Sequence, residues 1–205
     1  MRLPAARLVL GLVVFVLVGW GAGALWTSIV GPSDLEAVRD VAGVRSASLT
    51  AAARAVTWAG SAFVLVPLAL GCCLVLVRVG LRREAAVVAL SLAGAMLLSD
   101  AVKLLVSRRR PPVEHLQAVT GASFPSGHAT QASAFWFSLV LALQGTRVPR
   151  LARVVAGLAL LLILAVALSR VYLGVHYPGD VVAGVLLGTG WAVFVARCVR
   201  GAAVK

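Results

Sequence analysis

The sequence predicts an all-α protein, an integral membrane bundle of six transmembrane helices with a short interfacial helix after the first span. Three observations lead there. Hydrophobic residues make up 61% of the 205 and charged residues only 13%, against roughly 45–50% and about 25% in soluble domains. The apolar residues gather in six long runs, and about 20 apolar residues cross a bilayer as a helix. The basic residues stand mostly at the ends of those runs.

The runs cover roughly residues 8–26, 58–77, 85–106, 129–144, 154–169 and 181–199 of a single domain taken as 1–205. Residues 1–7 are basic and precede an apolar stretch, as in a signal peptide. The stretch continues to Trp26 without a small-x-small cleavage site, so it reads as an uncleaved first span. The fourth and fifth runs are short and must borrow flanking residues or tilt. In lipid only helices and closed barrels satisfy their own backbone, and these runs are too continuous for barrel strands, which alternate over about ten residues. Gly184 and Gly188, four apart in the last run, permit close helix packing, within this chain rather than between copies.

Between the first two runs, residues 31–56 open with Pro32-Ser33-Asp34-Leu35-Glu36. Ser33 and Glu36 have capping-box spacing. Leu35, Val38 and Val41 recur at helical spacing, which predicts a short amphipathic helix in the membrane interface. It serves as a connector or assists lipid access.

A formal net charge of +12 would suggest nucleic acid in a soluble protein. Here no aromatic residues are interleaved with the basic ones, and the charge reads as membrane topology. Arg2 and Arg7, Arg78, Arg82 and Arg83, Arg147, Arg150 and Arg153, and Arg197, Arg200 and Lys205 belong to alternate connections. The positive-inside rule puts them in the cytoplasm with both termini. Arg39, Arg45 and Arg54 fall on the opposite side. Cys72, Cys73 and Cys198 show neither metal-ligand spacing nor a disulfide framework, and they read as small hydrophobes.

Three polar clusters remain, all on the extracytoplasmic face in this topology: Lys103-x6-Arg110-Pro111, Phe124-Pro125-Ser126-Gly127-His128, and Ser169-Arg170-x5-His176-x3-Asp180. Together they offer what a phosphoryl group requires. Lys103, Arg110 and Arg170 supply positive charge, the arginines with a fork that matches phosphate oxygens. Ser126 supplies a hydroxyl. Gly127 allows close backbone approach at the start of an apolar helix, whose free N–H groups attract anions. His176 can attack phosphorus as a neutral imidazole, with Asp180 fixing its other ring nitrogen. His128 can protonate the leaving oxygen and then activate water. The seven acidic residues form no dense oxygen cluster of the kind a two-metal phosphatase needs, so no metal or other cofactor is expected. Asp100, three residues before Lys103, is placed to pair with it. Glu114 and His115 read as surface loop residues. Tyr172 and Tyr177 line the pocket or anchor at the interface.

These motifs resemble the signature of the type 2 phosphatidic acid phosphatase superfamily, which also contains vanadium-dependent haloperoxidases: K-x6-R-P, P-S-G-H and S-R-x5-H-x3-D. Every signature position is filled. The resemblance implies a membrane lipid phosphate or pyrophosphate phosphatase, metal-independent and working through a phosphohistidine. Lys103, Arg110, Ser126, Gly127 and Arg170 would bind phosphate. His128 would be the general acid, His176 the nucleophile and Asp180 its partner. A polyprenyl pyrophosphate such as undecaprenyl pyrophosphate, phosphatidic acid and phosphatidylglycerol phosphate are the expected substrate types. A phosphotransferase acting on an alcohol, and a non-enzymatic protein that binds or transports anionic lipids, are the alternatives. A haloperoxidase is disfavoured by six spans without a soluble domain. The bilayer is the expected partner, nucleic acid is not, and the motifs leave the head group and the oligomeric state open.

Overall fold

A computed structural model of the chain describes residues 5–144 and 149–201. Arg2, Arg147 and Lys205 of the basic connections lie outside the described residues. All regular structure among the described residues is helical: α1 Ala5–Ile29, α2 Gly31–Gly43, α3 Ala47–Thr57, α4 Ala62–Arg78, α5 Arg82–Val106, α6 Gly127–Gln144, α7 Pro149–Tyr172 and α8 Pro178–Gly201.

Each expected span has a helix. Length and apolarity alone qualify α1, α5, α7 and α8 as membrane-crossing, with a fifth only if α3 and α4, bent by 44° at their junction, make one broken span, so these criteria do not reach six. That junction is a 3-10 turn at Trp58–Gly60, so the second long run enters its helix at Ala62 rather than Trp58. Hydropathy does not single out α6, and its position explains why. It packs against α4, α5, α7 and α8, with Thr130, Ser133 and Ser138 fully buried. Each of these hydroxyls donates to the backbone one turn back: Thr130 to Ser126, Ser133 to Thr130 and Ser138 to Phe135. A helix enclosed by protein can carry such polarity because its hydroxyls are satisfied within the helix.

Among helices in lipid, apolar surface gives no net drive to associate, and close packing takes over. The α6–α8 contact rests on this. A methyl group on Gly184 would come within 2.8 Å of the Ser126 carbonyl, and one on Gly188 would collide with Thr130 and Ser133. The glycine pair thus packs within the chain, as expected. The two helices run parallel: Ser126 N–H donates to the Asp180 carbonyl at one end (2.9 Å), and Arg200 reaches the Leu141 carbonyl at the other. Outside this centre, α1 and α7 present rows of exposed leucines and valines, as lipid-facing helices do.

The segment after α1 differs from expectation. It forms two helices, α2 and α3, broken at Val44–Ser46. The Ser33–Glu36 capping box does not form. The first turn of α2 starts earlier, at Gly31-Pro32, with Val30 at the cap and no side-chain cap, and Ser33 Oγ donates to the Val30 carbonyl. Pro suits that first turn, where a free N–H is not needed. The capping serine is Ser46, which accepts from Leu49 N–H at the start of α3. Together α2 and α3 form a collar. Arg45 donates to the carbonyls of Tyr172 and Glu114, both at 3.1 Å. Arg54 donates twice to the Leu116 carbonyl. These two arginines pin the long α5–α6 loop against the end of α7.

Candidate active site

The three clusters meet at the end of the bundle where α5 and α7 finish and α6 and α8 begin. Helix direction dictates this: Lys103 lies in the last turn of α5 and Arg170 in the last turn of α7, while Asp180 lies in the first turn of α8. Gly127 and His128 open α6. Two helix N-termini therefore face two cations carried by helix C-termini.

His176 is 2% exposed and sits in the α7–α8 turn. Its Nδ1 lies 3.5 Å from Asp180 Oδ2 and 3.5 Å from Ser123 Oγ, both longer than an ordinary hydrogen bond. Asp180 is fully buried, and its oxygens are held from several sides. Ser123 Oγ donates to Oδ2 at 2.5 Å and Tyr177 N–H donates to the same oxygen at 3.0 Å. Arg108 Nη1 reaches Oδ1 at 2.6 Å. With Nδ1 turned towards the carboxylate, Nε2 is the nitrogen left for chemistry, and Arg110 Nη1 stands 3.4 Å from it. Burial pushes the His176 ring down to about 4, although Asp180 acts in the opposite sense. At neutral pH the imidazole is an uncharged base, the form a nucleophile requires.

Arg110 is anchored by the loops it joins. It donates to the carbonyls of Gly121, Thr120 and Ala122 on one side and of Val175 on the other. Its charge is thereby fixed beside His176 Nε2. Arg170, 2% exposed, donates through Nη1 to Thr57 Oγ1 (2.8 Å) and Gln117 Oε1 (2.6 Å). Its Nε is buried without a partner, as are Ser126 Oγ and Ser99 Oγ. Buried donors are nearly always paired. A cluster of unpaired ones at the mouths of two helices suits an anion whose oxygens would complete them. Lys103 Nζ and Ser99 Oγ both approach the Cα of Gly127, where a Cβ would stand 3.8 Å and 3.3 Å from them. His128 lies within the electrostatic reach of Arg170, His176, Lys103 and Arg110. All eight residues singled out by the sequence thus gather in one place.

Other expectations change. The ion pairs among the described residues are Arg108–Asp34, Arg108–Asp180 and His176–Asp180, so Asp100 does not bridge to Lys103. Tyr172 accepts from Ser46 N–H and donates to its carbonyl, which makes it an anchor for α3. Tyr177 lies under the Arg108 guanidinium, 3.8 Å from ring centroid to Cζ. Sequence reasoning missed Asp34, Ser123, Thr57 and Gln117 as neighbours of the site. Ser123 had a signal, three residues before Ser126. Thr57 and Gln117 had none, because the fold alone brings them to Arg170.

A family model described as the PAP2 superfamily matches residues 84–203. The chain belongs to that superfamily. Curated PAP2 relatives include the decaprenylphosphoryl-5-phosphoribose phosphatase of Mycobacterium tuberculosis, 36% identical over 52% of this chain and 56% of that protein. The lipid A 1-phosphatase of Rhizobium etli is 32% identical over 50% and 46%, respectively. Phosphatidylglycerophosphatase B of Bacillus subtilis is 35% identical over 45% and 46%. The chain spans about half the length of the curated relatives it matches. In fold it is similar to the crystal structure of the transmembrane PAP2-type phosphatidylglycerolphosphate phosphatase of Bacillus subtilis, with a TM-score of 0.79 at 24% identity over 96% of both chains. LpxE of Aquifex aeolicus gives 0.65 at 22% identity over 78% of this chain and 93% of its own.

Beside the site, an apolar cavity of 270 Å³ opens between α1 and α8, lined by Phe15, Val18, Trp26, Val182 and Leu187 among others. It reaches Phe124 and Pro125, the residues that lead into Ser126.

Proposed function

We propose that this PAP2 protein is a metal-independent lipid phosphate or pyrophosphate phosphatase acting through a phosphohistidine on His176. The observation that carries the reading is the contact set of His176: a buried, neutral ring with Nδ1 towards Asp180 and Nε2 beside Arg110. The unpaired donors of Ser126 and Arg170 support it. In the first step Nε2 attacks phosphorus, the P–N bond forms and the P–O bond to the lipid breaks. His128 gives its proton to the departing oxygen. In the second step His128 takes a proton from water, whose oxygen attacks phosphorus; the P–N bond breaks, its electron pair returns to Nε2, and inorganic phosphate leaves. Lys103, Arg110 and Arg170 offset the charge on the transferring oxygens throughout, the work a metal ion does elsewhere.

A lipid substrate is supported by the apolar cavity that ends at Pro125 and by the lipid phosphates named for the relatives. Polyprenyl phosphates and pyrophosphates and glycerophospholipid phosphates are the classes proposed. The basic connections at the opposite end of the bundle support a site on the extracytoplasmic side of the plasma membrane, with both termini in the cytoplasm.

The test is phosphate release by the purified protein in the presence of a chelator, from polyprenyl pyrophosphate, decaprenylphosphoryl-5-phosphoribose, phosphatidic acid and phosphatidylglycerol phosphate, with His176→Ala as control. Release by wild type and none by the variant is expected. Wild type that releases phosphate from none of these lipids, or only when metal is added, refutes the reading.

A further inference from the structure

Arg108 occupies an unspecified position of the first motif, and Asp34 lies in α2, far from all three motifs in sequence. Both are removed from water, with side chains 9% and 4% exposed. Arg108 reaches Asp34 Oδ2 through Nη2 at 2.9 Å and Asp180 Oδ1 through Nη1 at 2.6 Å, and its face rests on the Tyr177 ring. One guanidinium thus links two buried carboxylates. Buried charges cost several kcal/mol each to desolvate unless paired, and here one cation serves both acids.

The geometry points to Arg108 and Asp34 as positioning residues for the His176–Asp180 pair, an inference that rests on the phosphohistidine reading. An aspartate carboxylate turns over a broad range about its last torsion. The Oδ2 of Asp180 is shared among Ser123, Tyr177 N–H and His176, and Arg108 alone among the side-chain donors takes Oδ1. Arg108 therefore sets the plane of the carboxylate, and the carboxylate sets the imidazole. Asp34 in turn fixes Arg108 and grips the start of α8. Its Oδ1 accepts Gly179 N–H at 3.0 Å, one residue before Asp180, and its Oδ2 also takes Trp26 Nε1 at 3.4 Å. Gly179 is required for this grip, since a Cβ there would stand 2.7 Å from Asp34 Oδ2 and strike the Trp26 indole. The α2 helix, which the sequence marks as a connector or an aid to lipid access, thereby bears on the proposed catalytic pair through Asp34.

The test uses the full chain, with kcat and KM on a lipid that wild type hydrolyses and the affinity for vanadate as a phosphate mimic. Arg108→Lys, Arg108→Gln and Asp34→Asn should each lower kcat about 10- to 100-fold, the scale on which outer partners of a catalytic group act, with KM and vanadate affinity within about threefold of wild type. In an Asp180→Asn background, Arg108→Gln should add little, because groups that act as a unit are not additive. Full additivity in that background overturns the inference, and so does wild-type kcat in the single variants. Loss of vanadate affinity together with kcat, in the lysine variant as well as the glutamine one, assigns Arg108 a structural role and overturns it too. Wild type without activity on any lipid overturns the phosphatase reading itself, and the inference with it.

Discussion

His176 is defined by two opposed influences, burial and a carboxylate, and burial prevails. In the unfolded chain a histidine titrates near 6.5, while here the ring stays neutral down to about 4. Between those values the unfolded chain binds the extra proton, so folded stability is full above about pH 6.5 and declines as pH falls towards 4. His176→Gln removes that contribution. Its thermal midpoint in detergent should decline less steeply between pH 7 and 4.5 than that of wild type, and equal slopes would show that His176 is not buried neutral. Asp180→Asn keeps the shape of the side chain but replaces a carboxylate oxygen at Nδ1. It should lower kcat by at least about tenfold while KM stays within about threefold, since on the proposed mechanism the contact orients the nucleophile rather than holding substrate. An unchanged kcat would remove Asp180 from the mechanism. The residues of the proposed site were legible in the sequence because the chemistry proposed for them demands rare residue types at fixed spacing. Arg108, two residues from Arg110 in the same basic run, carried no such mark there. The structure separates them: one neutralises Asp34 and Asp180, the other binds loop carbonyls beside His176.

The helices themselves were legible where hydropathy speaks for them, as for α1, α5, α7 and α8. The start of α4 and the division of α2 from α3 were not, because both depend on turns at Ser61 and Arg45 that no apolar period marks. α6 was found as an apolar run, but its centrality was hidden, since a helix walled by protein and one facing lipid share much of their composition. Its fit against α8 carries the next prediction. Gly188→Val drives its Cβ onto Ser133 Oγ and the Thr130 backbone carbonyl and must separate the helices. Overpacking of this kind costs about 1–3 kcal/mol, so the variant should show a lower thermal midpoint and a lower yield of monodisperse protein. Gly157→Val, on the outer side of α7 where nothing lies within 4 Å of an added Cβ, should leave both near wild type. Equal effects at the two positions would mean that the α6–α8 approach is not close.

At the scale of the molecule, every group of the proposed mechanism lies at one end of the bundle, and Arg78, Arg82, Arg83, Arg150, Arg153, Arg197 and Arg200 lie towards the other. Glu114→Cys, in the exposed part of the α5–α6 loop, and Arg83→Cys, at the opposite end, are suitable reporters once the three native cysteines are replaced. A membrane-impermeant thiol reagent applied to intact cells should label the first and spare the second; the reverse pattern would turn the protein over in the membrane. The division of charge has a further consequence. Arg108 is occupied by two carboxylates, whereas Lys103, Arg110 and Arg170 gather around unpaired donors of Ser126 and Arg170 without a carboxylate of their own. On the proposed reading such a cluster receives tetrahedral anions in general, a buffer's sulfate as well as a substrate's phosphate. Any anion that binds the folded chain stabilises it by mass action. On that reading the salt chosen for purification is a competitive ligand, expected to raise the apparent robustness of the preparation while slowing its turnover.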